Sequence, residues 1–377
     1  MRRAGARVAI LAAALAGICA QARAAGPWTP VGPPGGAVYS LAIDPKQPSN
    51  LYVGAFGGGV WKSTDGGASW KRLDGVPPQQ SVNAVAVDPS RPQTVLAGTY
   101  DAGIWRSADG GASWKRVQNL GDRQPELLAI VFDPAQPRIV YAGTDSTGFP
   151  NGVFKSEDAG ATWKHASEGL PKDPRVFALA VNPKAPGVLY AGTSQGVYMS
   201  KDSAKGWSGL GGPLSDEFVQ SVAADGTAVV AGATSEGIFW SGDSGSTWEK
   251  AESDVDLAGD RIYALAADPE QAGTFYAGVP NHILRSTNGG KRWRGVTKGF
   301  NWINFRSLVM PPAGGNTFFA GTGRDGVLKT ADLGKTWTPS TGFYAFDVKT
   351  VLADPETPGR ILAGTTQGGV HLSEDGG

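Results

Sequence analysis

Few residues in this 377-residue chain could do chemistry, and they are scattered. The three histidines, His165, His282 and His371, match no metal-ligand spacing. A single cysteine, Cys19, excludes a disulfide framework. Asp254, Asp256 and Asp260 share one segment, but without EF-hand spacing they read as a solvated acidic loop rather than a calcium site. No cofactor and no metal is expected. Glu126, Arg175, Arg261, Arg306, Asp347 and Lys349 each stand at or near the start of an apolar run. Arginines so placed could clamp a carboxylate, or be consumed by mutual ion pairs. Phe300, Trp302 and Phe305 precede one apolar run, and Phe343, Tyr344 and Phe346 precede the next. Phe56 and Tyr100 follow two earlier runs. If the fold gathers these rings, they suit stacking on a sugar, a peptide or a partner protein. The plainer alternative is that half of them plug a channel mouth.

The elements that must position these groups follow from the glycines and prolines. The chain has 55 Gly and 26 Pro, against 18% charged residues and 12 Trp. Gly and Pro together make roughly a fifth of the chain, where about 12% is usual. That excess opposes helices and points to an all-β protein with many tight turns. The turns repeat. STDGGASW spans residues 63–70, SADGGASW 107–114, SEDAGATW 156–163 and SKDSAKGW 200–207. SGDSGSTW spans 241–248, STNGGKRW 286–293 and TADLGKTW 330–337. The closing tryptophans are 44, 49, 44, 41, 45 and 44 residues apart. Each period also holds an apolar run ending in Asp-Pro or a variant, such as Asp44-Pro45 or Asp88-Pro89. A second β-rich run then ends in Gly-Thr or similar, as in VLAGT and VLYAGT. Four short strands per period of about 44 residues predict a propeller blade.

The repeated string resembles the Asp box of the sialidase-like BNR repeats, and the resemblance covers residues 26–377. Its Ser hydroxyl and carboxylate can bond turn N–H groups, its Gly accepts a positive φ, and its Trp covers the turn. Asp65, Asp109, Asp158, Asp202, Asp243, Asn288, Asp332 and Asp375 are therefore assigned to structure, not catalysis. Eight units are counted. The last stops inside its own box, and Trp28-Thr29-Pro30-Val31 reads like a missing box end. The expectation is a single propeller of eight four-stranded blades closed by that N-terminal strand, with seven blades as the alternative. On each inner strand a small residue, such as Ser40, Ala84 or Ser221, is expected to allow close approach near the axis. The large residue after it, such as Leu41, Val85 or Val222, is expected to fill the gap between blades. Asp boxes and Asp-Pro loops share one face. The variable loops share the other, where binding is expected.

The first 25 residues read as a secretory signal: Arg2, Arg3 and Arg7, then the apolar run Val8 to Ile18, then Ala22-Arg23-Ala24. Their removal leaves 30 basic against 34 acidic residues, a net charge of −4. A secreted or periplasmic location is expected, with no membrane span and no nucleic-acid partner. The resemblance extends to photosystem II assembly and stability factors and to the luminal part of sortilin receptors. It implies an exported, non-catalytic monomer that binds a protein or carbohydrate ligand. The candidate ligand-binding residues are Trp302, Phe305, Arg306, Phe343, Tyr344, Phe56, Tyr100, Arg175 and Arg261. The alternative is a glycoside hydrolase of sialidase or xyloglucanase type. A sialidase needs an arginine triad and a Tyr–Glu pair. The Arg-Ile-Pro signature is missing, Arg138-Ile139-Val140 matches it only in part, and Tyr263 beside Arg261 has no evident Glu partner.

Overall fold

The computed structural model describes residues 28–32, 38–47, 49–55, 57–65, 69–77, 79–118, 120, 125–145, 151–268, 270–297, 305–309, 318–322, 327–330, 332, 338–339, 348–354, 357, 359–366 and 369–374. The expected signal segment, residues 1–25, lies outside them. The described residues form eight sheets, seven of four strands and one of five. Their first strands begin at Val38, Val82, Leu127, Val176, Val219, Ala264, Phe305 and Val348 and define blades 1 to 8. Each first strand touches the next in order, and Val348–Ala353 of blade 8 touches Val38–Ile43 of blade 1. The ring is a closed β-propeller. N-terminal Trp28–Gly32 is the outer strand of blade 8, with Trp28 opposite Ser373 and Pro30 opposite His371.

The packing between blades rests on one recurring device. In seven blades the first strand shifts register after its first residue, as between Val82 and Ala84. The extra residue of such a bulge bends the strand. The residue before the shift points into the preceding blade: Val82, Leu127, Val176, Val219 and Phe305 are all fully buried. Each meets a glycine of that blade's second strand. A Cβ on Gly98 would lie 2.7 Å from Leu127 Cβ, and one on Gly278 would lie 2.6 Å from Phe305 O. The Gly of the Gly-Thr signature is thus a clearance for the neighbouring strand. The small residues of the first strands face the same seam. Ser221 Oγ donates to Ile262 O of blade 6 at 2.8 Å, so their smallness serves the neighbouring blade and not the axis. The larger residues fill the opposite seam, as Val85 does against Tyr52 and Val60 of blade 1.

The Asp box is a closed hydrogen-bond circuit. Ser107 Oγ donates to Asp109 Oδ1 at 2.7 Å and accepts from Gly111 N at 2.7 Å. Asp109 Oδ1 also accepts from Ser113 N at 2.8 Å. Asp65, Asp158 and Asp243 repeat the pattern, while Asp202, Asn288 and Asp332 keep the bond from the preceding hydroxyl. Asp375 lies outside the described residues. Gly111 and Gly160 take φ of 92° and 84°, which a side chain would resist. The box is also held by the blade before it. Tyr52 Oη and Lys62 Nζ of blade 1 donate to Gly110 O of blade 2 at 3.0 and 2.7 Å, and Arg106 Nε of blade 2 donates to Ala159 O of blade 3 at 3.0 Å. The indole N–H of Trp163, Trp207 and Trp293 finds a carbonyl, while those of Trp70, Trp114 and Trp248 find no protein acceptor.

Blade 6 is the irregular unit. Glu252–Ser253, which follows the outer strand of blade 5, lies parallel to Arg292–Gly295 as a fifth strand. An Arg292–Glu252 ion pair at 2.6 Å and a bond from Gly295 N to Asp254 Oδ1 at 2.7 Å fasten it.

Candidate functional site at the channel mouth

On the variable-loop face each of blades 2 to 5 presents two residues, one before its first strand and one after its second. A backbone bond joins them: Tyr100 N to Ser81 O, Asp145 N to Glu126 O, Ser194 N to Arg175 O and Thr234 N to Phe218 O, all 2.9–3.0 Å. These pairs ring the inner strands of blades 2 to 5. Chemistry concentrates where blades 3, 4 and 5 meet. Arg175 bridges to Asp145 through two parallel bonds, from Nε to Oδ1 and from Nη2 to Oδ2, the second at 2.7 Å. Its guanidinium lies over the Phe177 ring, 5.2 Å from the centroid. Phe177 in turn faces Phe218 at 6.2 Å. Among the described residues, Tyr100 and Phe218 are the large apolar side chains most open to solvent, 55% and 47% exposed.

Electrostatics at this mouth are uneven. Burial, aided by the Asp145 charge, pushes the Glu126 carboxyl above its ordinary value, and Arg175 opposes that shift. Asn83 Nδ2 of blade 2 donates to Glu126 Oε1 at 3.4 Å. The bonds that Arg175 donates to Asp145 push its guanidinium above the ordinary value. A half-exposed guanidinium is thus locked flat by one carboxylate, beside a second whose carboxyl is raised and two aromatic faces. Such a surface can stack an apolar or sugar ring and exchange its internal ion pair for a ligand carboxylate or hydroxyl.

The residues expected from sequence divide sharply. Arg175 and Tyr100 stand at this mouth. Phe305 is fully buried as the blade 7 residue against Gly278 and has no face for a ligand. Arg261 is exposed just before the inner strand of blade 6. Arg306 lies in the strand Phe305–Val309, and its side chain is outside the description. Trp302, Phe343, Tyr344 and Phe56 lie outside the described residues. Two of the three acids of the blade 5 loop are spent on backbone: Asp254 accepts from Gly295 N, and Asp256 accepts from Ala258 N. Among the described residues no group of three or more His, Cys, Asp or Glu side chains is arranged for a metal. Phe177, Phe218 and Asn83 were missed. Their signal was available, because Phe218 stands at the same repeat position as Glu126 and Arg175.

Fold and site together define a β-propeller of Asp-box repeats with a polar and aromatic mouth. The Sortilin-Vps10 family (sortilin, neurotensin receptor 3) has a model that matches residues 58–172 and 102–210. A xyloglucanase of Hypocrea jecorina is 30% identical over 119 residues, 30% of this chain and 14% of that one. The GH74 xyloglucanase from Xanthomonas campestris shares the fold with a TM-score of 0.54 at 19% identity, over 90% of this chain and 59% of that one. YCF48 bound to a D1 peptide superposes with a TM-score of 0.58 at 12% identity, over 92% and 96% of the two chains. The chain thus spans well under two thirds of the xyloglucanases it matches and nearly the whole length of YCF48. No helix among the described residues is long and apolar enough to cross a membrane.

Proposed function

We propose that the protein is an exported, non-catalytic scaffold that captures a protein partner at the mouth of its propeller. The observation that carries this reading is the Arg175–Asp145 bridge set against Phe177 and the half-exposed Phe218. A peptide-binding propeller of matching length supports it, since YCF48 was solved with a bound peptide. A carbohydrate ligand would use the same rings. Replacing Arg175 and Phe218 together by Ala removes both the ionic and the stacking contact. Capture of the natural partner should fall at least about tenfold, since such anchors dominate interface energy. Because Phe218 is half exposed, the melting temperature should barely change. Partner binding that survives the double change would sink the mouth as the site.

One observation favours a glycosidase as the second reading. Glycoside hydrolysis uses a carboxyl with a raised pKa beside an ionised one. Glu126 has the raised carboxyl, and Asp145 is the neighbouring acid at the mouth. Against it, Asp145 is already committed to Arg175 on both oxygens. Turnover on a panel of fluorogenic glycosides that disappears in Glu126→Gln would establish this reading. No turnover on any member would remove it.

A further inference from the structure

The outer rim of blades 2 to 4 carries a second surface, on the edge of the ring away from the axis. A groove of about 720 Å³ runs between the outer strand of blade 3 and the Asp box of blade 4, its walls holding Lys155, Lys164 and Lys205 together with Glu157, Asp158 and Glu168. At Thr162 it meets a groove of about 460 Å³ whose walls hold Arg106, Lys115 and Arg116 and no carboxylate. At Glu168 and Lys205 it meets a third groove of about 550 Å³. The outer strands Lys115–Arg116 and Lys164–His165 are exposed throughout.

Two independent observations indicate what fits there. First, the place already draws a carboxylate. Lys155 Nζ, on a side chain only 9% exposed, donates to Glu157 at 2.8 Å. That bond, with the charges of Lys155, Lys164 and Lys205, holds the Glu157 carboxyl below its ordinary value. The charges of three lysines thus bear on Glu157, an acid that is itself 62% exposed. Second, the molecule performs the pairing on itself. At blade 6 the acidic, extended segment Glu252–Asp254 covers the outer strand that carries Arg292 and Arg294. The outer strands of blades 2 and 3 offer the same basic rim. No acidic segment lies across them among the described residues.

We propose that the rim grooves of blades 2 to 4 dock an acidic, extended segment of a protein partner, laid along the outer strands as Glu252–Asp254 is laid along blade 6. This site is separate from the mouth and does not depend on it. The probe is a short fluorescent peptide of alternating Glu and Ser, titrated by anisotropy against the full chain at low salt. Lys164→Glu with Lys205→Glu should weaken binding roughly tenfold or more, because reversed charges repel the peptide as well as losing the pairs. Lys164→Gln with Lys205→Gln should give a smaller loss and keeps the test valid if the reversed variant folds poorly. Lys172→Glu, a reversal outside the grooves, should leave affinity within about twofold, and added salt should weaken binding by the wild-type chain. Equal binding by wild type and both double variants overturns the proposal. Binding of polygalacturonate with none of the peptide also overturns it, since the occupant would then be a polysaccharide.

Discussion

A methyl group placed on Gly98 would meet Leu127 Cβ at 2.7 Å, and neither backbone can retreat without opening the seam between blades 2 and 3. Gly98→Ala should therefore cost about 1–3 kcal/mol by overpacking. Gly206→Ala is the matched control: its Cβ would have only Asp202 Oδ2 within 4 Å, at 3.8 Å, and its φ lies outside the left-handed region, so it should not destabilise the fold. Urea unfolding of the two variants should rank them in that order, and equal stabilities would refute the clearance role. The Asp-box carboxylates give a pH signature at the same scale. Asp65, Asp109 and Asp243 are drawn from 3.8 down to about 2 by hydrogen bonds from Ser or Thr at the end of the box. A lowered carboxyl stabilises the fold fully above its unfolded value, and that contribution is lost as pH falls through the folded value. Unfolding free energy should thus drop between about pH 4 and pH 2, and Asp109→Asn should flatten the slope. Residue type alone foretold these turn bonds, because Ser and Asp at that spacing have few other uses. It could not foretell Phe305, whose burial follows from a register shift that brings it against a glycine about two dozen positions back in the chain.

At the scale of the element, the Asp box is a clamp between blades as much as a turn within one. Tyr52 and Lys62 both close on Gly110 O of the next box. Tyr52→Phe keeps the ring and deletes one buried bond, so it should cost about 1 kcal/mol in thermal or urea unfolding. The strands were legible because boxes and Asp-Pro loops punctuate every period, and even Trp28–Gly32 could be read as a displaced box end. The fifth strand of blade 6 was not legible. Glu252–Ser253 carries no alternation of its own and becomes a strand only because Arg292 and the backbone of the next blade receive it. The mouth was half legible for a related reason. Arg175 announced itself by charge, but Phe177 and Phe218 meet only when two blades are set side by side.

For the whole molecule, the decisive pairing joins residues from the two ends of the described chain. Deleting residues 26–32 removes the outer strand of blade 8 and bares the edge of Val370–Ser373. The melting temperature should fall clearly, and the truncated chain should aggregate through that edge. A melting curve identical to the full chain would contradict the latch. Forming this pair also closes nearly the longest loop the chain allows, so it is expected among the late events of folding.

The same latch sets how the ring answers to force. Trp28 sits opposite Ser373, so both chain ends leave blade 8 from the same end of an antiparallel pair. A pull applied between them loads the cross-strand bonds one after another, as a zipper is opened, rather than all together in shear. The first seven blades carry none of that tension until the seam has parted. Tension thus enters the ring at one predetermined point, the pair that latches blade 8.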